Sequence, residues 1–108
     1  GKSTQINNIK HFFEDKGREL VFTREPGGTI IGERIRELLL DKSHTEMDPM
    51  TEAMLYAAAR AQHVAQVIKP ALEAGKVVVC DMDVSLVILL QRLMALRLMV
   101  ACLILHSL

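Results

Sequence analysis

Aromatic side chains are scarce: the chain has three Phe, one Tyr and no Trp. Any core must therefore be aliphatic, and with half of the 108 residues hydrophobic the composition can supply one. Net charge is missing too, with 13 Lys plus Arg against 13 Asp plus Glu. That balance excludes generic nucleic-acid binding, which needs surplus positive charge to displace counterions. Phosphate binding by a few placed groups stays open. Two cysteines, Cys80 and Cys102, are too few for a disulfide framework and suit a reducing, cytoplasmic setting. Glycine and proline are few, and from Met82 onward both vanish. Residues 82–108 hold one acidic side chain, Asp83, among Leu, Val, Met and Ile. Arg92 and Arg97 interrupt that stretch, so neither half reaches the roughly 18 apolar residues of a spanning helix. No membrane partner is expected, and a buried or poorly folding helix is the blander reading.

Upstream, the pattern is well punctuated. Ile6, Ile9 and Phe13 make a helical stripe that Gly17 stops. Leu20–Thr23 is a short β-type run, expected to break at Arg24-Glu25-Pro26-Gly27-Gly28. A second helix has Ile31, Ile35, Leu38 and Leu39 on one side. Asp48-Pro49 reads as an N-cap and first helical proline, opening a third helix through Met54, Leu55, Ala58 and Ala61 to about Val64. Pro70 marks a break or a new short helix, which Gly75 ends. Val77–Cys80 is a β-branched run with Asp81 at its end, the pattern of a strand buried on both faces. Helix, strand, helices, strand is the grammar of an α/β domain with a parallel sheet.

Gly1-Lys2-Ser3-Thr4 matches the end of a phosphate-binding loop, Gly-x-x-x-x-Gly-Lys-Ser/Thr. In that motif backbone N–H groups wrap the phosphates, lysine reaches their oxygens and the hydroxyl holds Mg²⁺. Alone the triplet is more often than not an ordinary surface turn, but here it directly precedes a helical stripe. Asp81, a carboxylate ending a later hydrophobic strand, is the group such a site needs near its metal. It equally fits a cap of the next turn. The segment Thr23–Thr29 lets two glycines bring backbone close to a ligand beyond a strand's carboxyl end; a tight turn with a solvated ion pair fits it as well. Tyr56 and Arg60, one turn apart among alanines, share a helix face and can stack a base and bond its edge. A core tyrosine beside a snorkelling arginine is the plainer alternative. The four histidines are scattered along the chain and read as structural or surface groups, not as a metal site.

The segments Thr23–Thr29, Gly32–Arg36 followed by three leucines and Asp41, Thr51–His63, Val67–Leu72 and Gly75–Asp81 resemble, in order and spacing, consecutive signatures of bacterial-type thymidylate kinases. The resemblance implies an α/β, P-loop NTPase-like three-layer fold with a parallel sheet, incomplete in this chain. It implies transfer of the terminal phosphoryl group of ATP to thymidine monophosphate, giving the diphosphate. ATP and thymidine monophosphate are then the partners, Mg²⁺ the metal, and a homodimer the assembly. By position, Gly1, Lys2, Ser3 and Thr4 would bind ATP phosphates, with Ser3 and Asp81 at the Mg²⁺. Lys2, Arg36 and Asp81 would serve catalysis. Glu25 would face the acceptor near its sugar, Arg36 would hold its phosphate, Tyr56 would lie against thymine, and Arg60 would bond the base edge.

The resemblance covers residues 1–81 and stops at Asp81. The family continues Asp-Arg-aromatic, whereas this chain has Met82 and then Asp83-Val84-Ser85. Two segments are therefore expected: a partial kinase domain over 1–81 and an atypical hydrophobic tail over 82–108, produced by a frameshift or a replacement. With half a phosphate cradle and Met82 for arginine, the chain is expected to lack turnover, and Val77–Cys80 to have few sheet partners. A non-catalytic relic or interaction domain, and a kinase for another nucleoside monophosphate, are the alternatives.

Overall fold

The computed structural model describes residues 2–82 and 102–104, the side chains of Lys2 and 102–104 excepted. Helix α1 runs Lys2–Glu14 and ends where Gly17 adopts φ +71°. Strand β1 is Leu20–Glu25, helix α2 Ile30–Leu40, and helix α3 Pro49–His63. A π-helical stretch, Val64–Ile68, leads into the short helix α4, Lys69–Glu73, and then strand β2, Val77–Met82. Strand β3 is Cys102–Ile104.

The three strands form one sheet in the order β1-β2-β3, with both pairings parallel. A parallel neighbour requires a crossover, and α2 through α4 supply the one between β1 and β2. The register sets Leu20 opposite Val77, Arg24 opposite Asp81 and Glu25 opposite Met82. Both strands thus end at one edge, with Arg24, Glu25 and Asp81 side by side.

Three expectations change, and the structure defines the inward face of α3. The β run continues through Arg24 and Glu25, because β1 pairs only with β2 among the described strands and its other side tolerates the proline that follows. Val77–Cys80 does not lack partners: β2 is the central strand, and Val78, Val79, Cys80 and Met82 are fully buried. Each such side chain contributes about 1.5–3 kcal/mol relative to exposure. The inward face of α3 carries Ala53, Ala59, Arg60 and His63, while Met54 is 64% exposed and Ala58 and Ala61 lie outside. Finally, a strand stands at Cys102–Ile104, where a helix was the blander reading. The rest of the 82–108 segment beyond Met82 lies outside the described residues.

The caps follow the sequence. Asp48 accepts a hydrogen bond from Met50 N at 2.8 Å, with Pro49 at the first helical position. At Pro70 the break takes the form of a new helix. The π-helical stretch closes with Lys69 N bonded to Val64 O, just before a residue that has no N–H to offer. This wider turn carries the chain from the polar contacts of His63 to the apolar ones of Ile68 and Ala71. Those two residues form the core with Val78, Cys80 and Met82, with Val21, Val64 and Leu72 packed around it.

Candidate functional site

Glu25 ends β1 and is 3% exposed. A buried carboxylate must be paired and hydrogen-bonded, and α3 supplies both partners. Arg60 Nη1 donates to Glu25 Oε1, and His63 Nδ1 lies 2.5 Å from the same oxygen. Arg60 and His63 sit three residues apart on one helix face, so both reach β1 together. On the other side of the imidazole, Nε2 is 2.6 Å from Thr23 Oγ1. Thr23 and Glu25 are two apart on the strand and project to the same side. The network is dense but incomplete: Glu25 Oε2, Arg60 Nε and Arg60 Nη2 are buried without a hydrogen-bond partner.

The loop after β1 wraps this network. The Glu25–Pro26 peptide is cis, and Gly28 has φ +82°. A Cβ at Gly28 would lie 2.6 Å from both His63 Cδ2 and Thr23 Oγ1, so glycine lets the loop press on the imidazole. Glu33, on the first turn of α2, holds the loop from outside: its Oε2 accepts from Gly28 N at 3.0 Å, and Arg24 donates to both carboxylate oxygens. The Arg24 hydrogen bond holds the Glu33 carboxyl below its ordinary value against the opposing effect of burial, and the Gly28 N–H helps. Arg24 is raised in turn by the same bond. Thr29 caps α2 by accepting from Gly32 N at 2.8 Å. Arg36 Nη1 donates to Pro26 O at 2.9 Å, fixing the loop to the next turn of α2.

A cavity of about 180 Å³ opens at this edge, lined by Arg24, Glu25, Pro26, Arg36, Leu40, Tyr56 and Asp81. It lies beyond the carboxyl ends of two parallel strands, where open α/β sheets bind ligands. Two guanidinium groups, an aromatic ring and carboxylates converge there. Glu25, Arg36, Tyr56 and Asp81 are therefore brought together, and Arg60 is joined to them through Glu25. Ser3 and Thr4 are exposed on the first turn of α1 and do not line the cavity. Gly1 and the side chain of Lys2 lie outside the described residues.

Sequence reading took His63 with the other histidines as structural or surface, and it is a buried member of this network. Its scatter from the other histidines hid a spatial grouping: ligand-type atoms of Glu25, His63 and Cys80 all lie within 4.8 Å of one another. Both imidazole nitrogens have partners and a guanidinium already occupies Glu25 Oε1, so the geometry is that of a hydrogen-bond network. The signal available in sequence was the three-residue spacing of Arg60 and His63 on a helix opposite a Thr-x-Glu strand end.

The chain is similar to known proteins over most of its length. A family model described as thymidylate kinase matches residues 1–103. Over 81 residues the chain is 62% identical to the thymidylate kinase of Pelotomaculum thermopropionicum, covering 75% of this chain and 38% of that protein. Over 89 residues it is 55% identical to that of Symbiobacterium thermophilum, covering 81% and 42%. The crystal structure of thymidylate kinase from Ehrlichia chaffeensis superposes with a TM-score of 0.63 at 25% identity, over 83% of this chain and 56% of that one. The chain thus spans about two fifths of the length of these curated relatives, and among the described residues no helix is long and apolar enough to cross a membrane. The parallel sheet, its crossover helices and these matches together establish that the chain belongs to the thymidylate kinase family.

Proposed function

We propose that the chain carries the acceptor-nucleotide site of an enzyme that transfers the terminal phosphoryl group of ATP to thymidine monophosphate. The observation that supports this best is the cavity lined by Arg36, Tyr56, Asp81 and Glu25, with Arg60 buried behind Glu25. Arg36, held by Pro26 O, offers a charge-assisted, directional contact to a monophosphate. The Tyr56 ring offers a stacking face for a base, worth about 1–3 kcal/mol in such settings. Glu25 Oε2 and the free Arg60 nitrogens are costly to leave buried and unpaired. A sugar hydroxyl in the cavity supplies the donor for Glu25, while Arg60, which does not line the cavity, acts through Glu25.

Mg²⁺ fits Asp81, whose carboxylate oxygens suit a hard cation at the cavity. Ser3, the second expected ligand, stands on α1 away from it. When bound, the ion neutralises charge on the transferring phosphates. The rest falls to the protein: Arg36 orients the acceptor phosphate, Tyr56 fixes the base plane, and the buried Glu25–Arg60 pair keeps water from the base edge. At position 82 the chain has Met82, fully buried in the core, which cannot place a cation by the phosphates. Binding of thymidine monophosphate without measurable turnover is therefore the expected behaviour of these residues. In the same reading ATP is the donor, the assembly is a homodimer and the location is cytoplasmic.

Calorimetry with the chain tests it. Tyr56→Ala and Arg36→Ala are each expected to weaken thymidine monophosphate by roughly tenfold or more, while ATP affinity stays within about twofold. Equal losses for both ligands, or none for the monophosphate, would return these residues to a structural role.

A further inference from the structure

His63 belongs to none of the roles above, yet it is among the largest fully buried side chains and touches three segments at once. Its Nε2 meets Thr23 on β1, its Nδ1 meets Glu25, and its ring edge is covered by Gly28 of the loop. We infer that His63 is a positioning residue of the acceptor site, aiming the Glu25 carboxylate that in turn holds the Arg60 guanidinium. The inference rests on the acceptor-site reading above.

The hydrogen-bond inventory fixes the direction of the chain of bonds. An ionised carboxylate only accepts, so the hydrogen between His63 and Glu25 belongs to Nδ1. In the neutral ring Nε2 is then an acceptor, and the Thr23 hydroxyl donates to it. The Glu25 carboxylate thus selects the tautomer, Thr23 holds the far side of the ring, and the second donor on Oε1 is Arg60 Nη1. Two donors on Oε1 restrict the carboxylate, and Oε2 is left with no partner. Arg60 keeps Nε and Nη2 unpaired in the same way. Remove the imidazole and Glu25 loses one of the two bonds on Oε1, freeing the carboxylate to swing and the guanidinium to follow it. The start of the π-helical stretch directly after His63 fits this role, since such insertions re-aim a helix at a functional position.

The test uses the ¹⁵N-labelled chain without ligand, reading the Arg60 Nε–H signal and the His63 ring nitrogens by NMR. His63 is expected to carry a hydrogen on Nδ1, in its bond to Glu25. His63→Leu is expected to move and broaden the Arg60 signal, and His63→Asn, whose amide can donate near the Nδ1 position, to restore it. An Arg60 signal indifferent to His63→Leu, or equally disturbed by Leu and Asn, would overturn the inference. Should His63→Leu not fold, the isosteric Thr23→Val carries the test: it should loosen the ring while Nδ1–H stays on Glu25, and shift the Arg60 signal. An Arg60 signal unmoved by Thr23→Val overturns it. With thymidine monophosphate added, His63→Leu should weaken binding by roughly tenfold to a hundredfold, and His63→Asn by less than about threefold. If the unaltered chain takes no thymidine monophosphate, the acceptor-site reading fails, and the ligand-free Arg60 signal still decides the positioning role.

Discussion

Replacing Arg60 by Met tests the pairing on which the site is built. Arg60 and Glu25 side chains are each 1% exposed, so the substitution leaves a carboxylate in the interior with His63 as its remaining partner. Breaking a buried pair by removing one member costs about 3–5 kcal/mol. Part of that is returned, because Arg60 Nε and Nη2 are themselves unpaired and leave with the guanidinium. Relief of those orphaned donors offsets about 1–2 kcal/mol, so the net loss is about 2–3 kcal/mol. Methionine refills most of the volume, keeping cavity costs small. In urea, with a slope near 2 kcal/mol per molar for a small domain, the midpoint should fall by roughly 1–1.5 M. The double variant Glu25→Gln with Arg60→Met removes both charges and should recover at least about 1 kcal/mol relative to Arg60→Met alone. If Arg60→Met is as stable as the unaltered chain, or the double variant is no better than the single, Glu25 and Arg60 are not a mutually dependent buried pair.

Two further outcomes follow from the loop. Gly28→Ala combines positive φ with a Cβ 2.6 Å from His63 Cδ2, so it should cost about 2–4 kcal/mol by thermal melting. Gly75→Ala, at φ +78° with open space around it, should cost only about 1–2 kcal/mol; equal losses would deny that Gly28 packs on the imidazole. The Glu33 carboxyl is depressed in the folded chain by its hydrogen bond to Arg24, so its contribution is present above its ordinary value of 4.5 and is lost as pH falls through the folded value. Because the pair is half exposed, that contribution is at most about 1 kcal/mol. Glu33→Gln should flatten the acid limb of stability against pH by that amount, and an unchanged limb would show that Arg24 does not hold Glu33.

Much of the scaffold was legible because it rests on local chemistry. Asp48-Pro49, Gly17 and Gly75 announce helix ends through capping and positive φ, and Val77–Cys80 announces a strand buried on both faces. The grouping of Glu25, Arg36, Tyr56 and Asp81 was legible only through the family resemblance. No spacing rule relates a strand end to a helix some thirty residues on; the crossover does that. The inward face of α3 was not legible because its alanines carry almost no amphipathic signal. Which of Ala53, Ala58, Ala59 and Ala61 turns inward is decided by the Arg60 and His63 contacts to Glu25, a tertiary fact. The place of His63 in the network was not legible for the same reason. A lone histidine has no partner in sequence, and its partners Thr23 and Glu25 lie 40 and 38 residues away.

The central claim is that the cavity beyond β1 and β2 takes thymidine monophosphate. Titrating the nucleotide into the ¹⁵N-labelled chain and mapping the shifted amides tests it most directly. The expected result is saturable shifts clustered at Glu25, Gly27, Arg36, Tyr56, Arg60 and Asp81, with much smaller shifts from other nucleoside monophosphates at the same concentration. No saturable shift, or shifts centred on the separate cleft lined by Lys10, Glu14, Arg18 and Phe22, would contradict it.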